Sequence, residues 1–371
     1  MTGNMASRSP TAAANNLDLL RFLLAFFVFL SHAHLTSGHA ELSILSTLFS
    51  SLFAVQAFFV ISGFLIFQSF DRSSSVASYA GKRVRRILPA YLLVVLACAI
   101  GLAAISRLPA AGYFGDRGFF AYLAANLVFL NFLAPTLPGV FEANPMQAVN
   151  GSLWTLKVEV MFYVAVPFFV WACRRLGHDR VLGALFLLSC LYGFAVAELA
   201  HRTGSAGIEE LGRQLPGQLT FFVAGSAIYV HFDAFRRRLP LMAAIGVGLF
   251  LLSWVVLPVV LRPLGVALMT LSFAFGPFLG RFGRFGDFSY GVYIVHFPIL
   301  QILISQGVLQ DRPWTMLALA TVLVLAAAAA LWHGVEKRFL RRDSHYRKVE
   351  DARRTDTGMA ASALPAGRPL A

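Results

Sequence analysis

Apolar runs separated by short polar segments repeat along the chain from residue 17 to about residue 335. As helices, such runs are long enough to cross a hydrocarbon core of about 30 Å. The expected spans are 17–36, 47–69, 88–106, 155–173, 181–199, 216–231, 240–257, 263–280, 288–306 and 314–335. A shorter apolar segment, 119–134, is marginal as a span. The pattern predicts an all-α fold, a polytopic membrane helix bundle of about ten transmembrane helices plus one short non-spanning segment.

Composition supports a lipid-facing surface. Only 13% of the 371 residues are charged and 58% are hydrophobic, whereas a soluble domain carries roughly a quarter charged residues. The net charge of +13 does not point to nucleic acid, because the basic residues sit in clusters between spans. There they set topology and meet anionic headgroups. The clusters also decide whether 119–134 crosses. With a cytoplasmic N-terminus and no crossing there, Lys82–Arg86, Arg174–Arg180, Arg236–Arg238, Arg281 with Arg284, and the tail from Lys337 all lie inside. The outer loops then hold only scattered arginines such as Arg107, Arg202 and Arg312. If 119–134 crossed, three clusters and the tail would move outside. The positive-inside bias therefore predicts ten crossings with both termini cytoplasmic. The expected organisation is a polar leader over 1–16, a membrane domain over 17–340 and a basic, disordered tail over 341–371. Residues 106–152 become a structured outer cap, because non-spanning backbone at membrane depth must be covered by protein. The first run shows no cleavage site and reads as a retained helix.

An ionisable residue in a membrane helix is costly and by default a functional candidate. The first span holds Arg21 and His32, eleven residues apart, which places them on one helix face about 16 Å apart along the axis. Asp18 lies one turn before Arg21 and is placed to pair with it. This geometry suits a long anionic ligand laid along the helix. The alternative is an arginine snorkelling to headgroups and a histidine bonding a neighbouring helix. Arg83 and Arg86, in the segment after the second span, have i, i+3 spacing and offer two guanidinium forks that match phosphate; a topology signal is the plainer reading. Pro89 fits the first turn of the next helix. Glu159 opens the span after the cap, as a catalytic acid or half of a structural ion pair. Asp287 is placed to cap the ninth span, and Tyr293 and His296 lie one turn apart on a face turned to the bundle interior. Interhelical hydrogen bonding is the structural alternative for these. The other histidines and the three cysteines, Cys98, Cys173 and Cys190, lack metal-ligand spacing, so no metal site is expected. There is no nucleophile elbow, Walker loop or dinucleotide fingerprint.

Taken together, five motifs resemble the membrane-bound acyltransferase-3 family. They are Arg21-x10-His32; the run Phe58 to Ile66; Arg83-x2-Arg86 with Ile87, Pro89 and Tyr91; Ser152-Leu153-Trp154 through Glu159 to Tyr163; and Gly286-Asp287-Phe288-Ser289-Tyr290 through His296 to Pro298. They occur in the family's order. The resemblance implies a ten-helix core in a bacterial inner membrane. It implies transfer of acyl groups, most often acetyl, from cytoplasmic acyl-CoA to extracytoplasmic carbohydrates. It implies that His32 is catalytic and that Arg21, Arg83 and Arg86 serve the acyl donor. Two departures stand out. The family's Glu-Glu-Gln stretch is Glu159-Val160-Met161 here, and the C-terminal hydrolase-like domain that some members carry is not expected after the last span.

The expected mechanism is direct transfer, with an acyl-His32 intermediate as the alternative. CoA phosphates meet Arg83 and Arg86, the pantetheine arm passes Arg21, and neutral His32 deprotonates a sugar hydroxyl that attacks the thioester. Tyr293, His296 or Arg21 supplies the oxyanion donor, and Glu159 is a candidate to orient His32. Acyl-CoA is a co-substrate, and no permanently bound cofactor is expected. The competing class is a secondary transporter using the same intramembrane Arg, His and Glu. The acceptor is not readable from the sequence.

Overall fold

The computed structural model of the protein describes residues 14–340. The expected tail, 341–371, and residues 1–13 of the leader lie outside the described residues. Among the described residues all regular structure is helical.

Ten apolar helices occupy the ten expected spans. They are α1 (Leu17–Ser37), α2 (Ser51–Asp71), α3 (Val76–Gly101), α5 (Trp154–Leu176), α6 (His178–Thr203), α7 (Leu215–Val230), α8 (Leu239–Leu252), α9 (Pro258–Phe275), α10 (Ser289–Ser305) and α11 (Pro313–Leu331). Seven of them, all but α7, α8 and α10, lie in helical stretches long and apolar enough to cross a membrane. The protein is therefore a multi-pass membrane protein. The other three have 16, 14 and 17 residues. In α8 the shortfall arises because apolar sequence runs on past the helix. After Leu252 the apolar Trp254–Leu257 form a turn in which Leu257 takes φ 43°, and Pro258 then starts α9. The marginal segment contains α4 (Arg117–Leu127), whose 11 residues rise about 16 Å and do not span a bilayer.

The segment around Arg83 is helix rather than the expected loop. Ser75 caps α3 by accepting from the Ser78 N–H at 3.1 Å, so the helix begins before the charges and Pro89 lies in its interior, not its first turn. Hydropathy alone sees only the apolar part of such a helix.

Interior prolines remove the N–H that would bond the carbonyl four residues back. In three helices a side chain from another element takes that carbonyl. Tyr79 donates to Tyr163 O below Pro167 (3.2 Å), Asn150 to Ile294 O below Pro298 (2.8 Å), and Cys190 to Val259 O below Pro263 (3.7 Å to sulfur). The cap is thus tied to α10: Gln301 also donates to the carbonyls of Met146 and Ala148, at 2.5 and 2.7 Å.

Small residues allow the closest crossings. A Cβ on Gly63 of α2 would overlap the Phe222 carbonyl of α7, and one on Gly225 of α7 would overlap the Val60 carbonyl. Ser226 completes this contact by donating to Gly63 O at 3.0 Å. Asn16, 2% exposed, joins the start of α1 to the end of α9. Its side chain donates to Phe273 O and Pro277 O and accepts from Leu279 N.

Candidate active site

Helices α1 and α10 pack side by side and run in the same direction, held at two levels. At one level Arg21 Nη1 donates to Asp287 Oδ2 at 2.8 Å. At the other, His32 Nδ1 lies 2.9 Å from His296 Nε2, with the two rings nearly parallel. The sequence placed all four residues on candidate motifs; the fold pairs them across more than 260 residues.

The histidine contact has a defined direction if both rings are neutral. His296 Nδ1 lies 3.1 Å from the Val292 carbonyl, which only accepts. That nitrogen therefore carries the hydrogen, leaving His296 Nε2 as an acceptor. His32 Nδ1 must then donate to it, and the lone pair of His32 falls on Nε2. His296 is fully buried, while His32 is partly exposed.

At the other level four charged residues from four elements meet. Asp287 accepts from both Arg21 and Arg86 through Oδ2, and Arg86 Nη1 reaches Glu336 Oε2 at 3.0 Å. Asp287 Oδ1 accepts from the Ser289 N–H at 3.2 Å, at the first residue of α10, while the N-cap position itself falls on Phe288 rather than on the expected Asp287. Both carboxylates are nearly inaccessible, 3% and 2% exposed. Glu336 sits in the wide π-helical turn Trp332–Glu336 that follows α11. Sequence reading missed it; its signal is an acid at the inner margin of the last span, just before Lys337-Arg338.

A cavity of about 650 Å³ lies between α1, α2, α3, α5 and α10. Arg21, Arg83, Arg86, Glu159 and Tyr293 all line it. Its charged end carries Arg72, Lys82 and Arg85, of which Arg72 and Arg85 are exposed. Arg83 donates to the Ser69 hydroxyl at 3.2 Å and lies over the Tyr163 ring, both neutral partners. Midway, Ser62 donates to both oxygens of Glu159, at 3.0 and 2.8 Å. Ser62 is a second residue that sequence reading did not single out. The contact that orients His32 thus comes from His296, while Glu159 holds a serine on the cavity wall.

The far end is closed by Val55, Phe58, Thr155 and Tyr293. The Tyr293 hydroxyl is 2.7 Å from Thr155 Oγ1, and its ring stands edge-on to Phe58 with centroids 5.9 Å apart. On its other side Tyr293 meets the His296 ring at 6.0 Å. His32 and His296 do not line the cavity; they adjoin it across Tyr293. The arrangement therefore places a cationic entrance at one end and a neutral histidine pair just beyond the other. Among the described residues, no group of three or more His, Cys, Asp or Glu is placed to hold a metal.

Comparison with known proteins agrees with the motifs. Residues 14–333 match a family model described as an acyltransferase domain, that of the acyltransferase-3 family. An O-acetyl transferase of Shigella phage Sf6 is 27% identical over 347 residues, covering 89% of this chain and 97% of the relative. Nodulation protein 10 of Rhizobium leguminosarum bv. viciae is 28% identical over 372 aligned positions, covering 87% and 92%. No solved structure matches the chain. With the family model extending over nearly all of the described helices, the chain belongs to the acyltransferase-3 family.

Proposed function

We propose that the protein transfers an acetyl group from cytoplasmic acetyl-CoA to a hydroxyl of an extracytoplasmic carbohydrate, in a bacterial inner membrane with both termini cytoplasmic. One observation carries the reading: a cavity with a cationic entrance runs along α2, from Arg72 to Val55, and ends at Tyr293, whose ring contacts His296. The O-acetyl transferase name of a relative supports acetyl as the group and oxygen as its destination.

Each residue then has a task. Arg83, with Lys82 and Arg85 beside it, holds the phosphates of CoA, since guanidinium forks grip phosphate bidentately. Arg86 is held by Asp287 and Glu336, so it shapes the entrance and fixes Arg21 as much as it attracts phosphate. The pantetheine arm lies past Arg21 toward Ser62 and Glu159. His32 Nε2 takes the proton of the acceptor hydroxyl as its oxygen attacks the thioester carbon. The new C–O bond forms, the C–S bond breaks, and the proton passes from His32 to the departing thiolate. His296 holds His32 in the tautomer this step needs. The Tyr293 hydroxyl is the nearest candidate donor to the oxyanion.

The test uses inverted vesicles carrying the protein, with crude surface polysaccharide trapped in the lumen and acetyl-CoA labelled in the acetyl group added outside. Label joined covalently to polysaccharide, with equal release of free CoA, is the expected result. Label accumulating unmodified in the vesicle lumen would overturn it in favour of a transporter.

A further inference from the structure

The far end of the cavity has a shape that the transfer chemistry alone does not require. Along α2, residues Ala54 to Ile61 are buried except Phe58, which is partly exposed and lines the cavity. The ring has one aromatic neighbour in edge-on contact. Its edge-on partner Tyr293 is tied to Thr155 by a 2.7 Å hydrogen bond. The next residue, Phe59, packs on Phe162, which stacks on Phe222 at 4.2 Å. The end wall thus presents two aromatic rings, Phe58 and Tyr293, and the helix turn that carries Phe58 is anchored through Phe59.

We propose that Phe58 determines acyl-chain specificity: with Tyr293 it forms a wall that stops the acyl group and restricts the donor to short chains. This rests on the acyl-CoA reading above. The reasoning is one of register. The phosphates fix one end of the donor at the cationic entrance, and the wall fixes how far the other end can advance. A two-carbon acyl group against the wall holds its thioester carbon beside Tyr293, the side chain that stands between the cavity and the histidine pair. Every further methylene pushes that carbon back toward the entrance and away from His32. Short reach at the wall and correct placement at the base are therefore the same condition.

The experiment compares acetyl-, butyryl- and hexanoyl-CoA as donors for the wild type, Phe58→Leu and Phe58→Ala in the same vesicles. The wild type is expected to fall off steeply with length. A pocket discriminates by roughly 10-fold or more per misfitted methylene, so Phe58→Ala is expected to raise the hexanoyl-to-acetyl ratio of kcat/KM by about 10-fold or more, with Phe58→Leu between. A wild type that transfers hexanoyl as fast as acetyl overturns the proposal without any variant. So does an unchanged ratio in either variant that still transfers acetyl. A wild type inactive with every acyl-CoA overturns the acyl-CoA reading itself, and the proposal with it.

Discussion

His32 Nδ1 lies 2.9 Å from His296 Nε2, and the other ring nitrogen of His296 contacts the Val292 carbonyl at 3.1 Å. A backbone carbonyl thus fixes, through one imidazole, the tautomer of a second. In hydrolytic triads a carboxylate orients the histidine and stabilises the imidazolium. Here the orienting group is a fully buried imidazole rather than a carboxylate, so no fixed negative charge stands beside His32 at this contact. Substituting His296 by Ala removes the acceptor for His32 Nδ1. The expected outcome is a loss of about 100-fold or more in kcat, the scale of general-base catalysis, with KM for acetyl-CoA little changed. His296→Gln, which can still accept from His32, is expected to recover part of that loss. Steady-state kinetics with separated kcat and KM check both. A purely structural role for His296 would instead lower the amount of folded protein with kcat intact.

Arg83 is expected to act on the donor alone. Hydrogen bonds to charged groups contribute about 1.5–3 kcal/mol, so Arg83→Ala should raise KM for acetyl-CoA by roughly 10- to 150-fold and leave kcat within a few-fold. Its hydrogen-bond and ring partners in the unliganded protein are a hydroxyl and a tyrosine, so its removal breaks no direct hydrogen bond to a carboxylate. Titration of the initial rate against acetyl-CoA concentration measures this.

Asp287 is expected to matter for stability before chemistry. It is 3% exposed and joins Arg21 and Arg86, whose side chains are only 20% and 14% exposed. Asp287→Ala leaves two partly buried cations without this carboxylate, a change that costs about 3–5 kcal/mol when one partner of a buried pair is removed. Thermal unfolding in detergent is the measurement, with a clear drop in midpoint expected. Arg86→Met is expected to cost less when Glu336→Met accompanies it than when made alone, because the double change leaves no acid unmatched.

Asn150 is expected to be structural, although it lies near the site. Its amide takes the Ile294 carbonyl that Pro298 leaves unbonded. Asn150→Leu should cost about 1–3 kcal/mol, the penalty for an unsatisfied buried acceptor. In a double variant with Pro298→Ala, which restores the helical N–H, the cost should shrink. Unfolding midpoints of the four proteins form the cycle that tests it.

Much of this was legible in the sequence, for identifiable reasons. Helix periodicity put Arg21 and His32 on one face, because eleven residues are almost whole turns. Hydropathy found all ten helices, because lipid exposure requires apolar runs. Charge bias kept 119–134 from being counted as a span, in agreement with the short α4. Partners were not legible. Asp287 lies 266 residues from Arg21 and Glu336 lies 250 from Arg86, and no local pattern encodes such distances. The start of α3 was missed because its first turns are polar and a serine cap begins it. The aromatic wall was invisible because Phe58 is one phenylalanine among 35, and only packing shows which of them faces a cavity.

The central claim is that His32 is the base in acyl transfer from acyl-CoA. The most direct measurement is acetyl transfer to polysaccharide by wild type and His32→Ala in inverted vesicles at matched expression, with binding of acetyl-CoA followed in parallel. The account predicts that His32→Ala binds acetyl-CoA about as well as wild type and transfers its acetyl group at background rate. Equal transfer by the two proteins would contradict it.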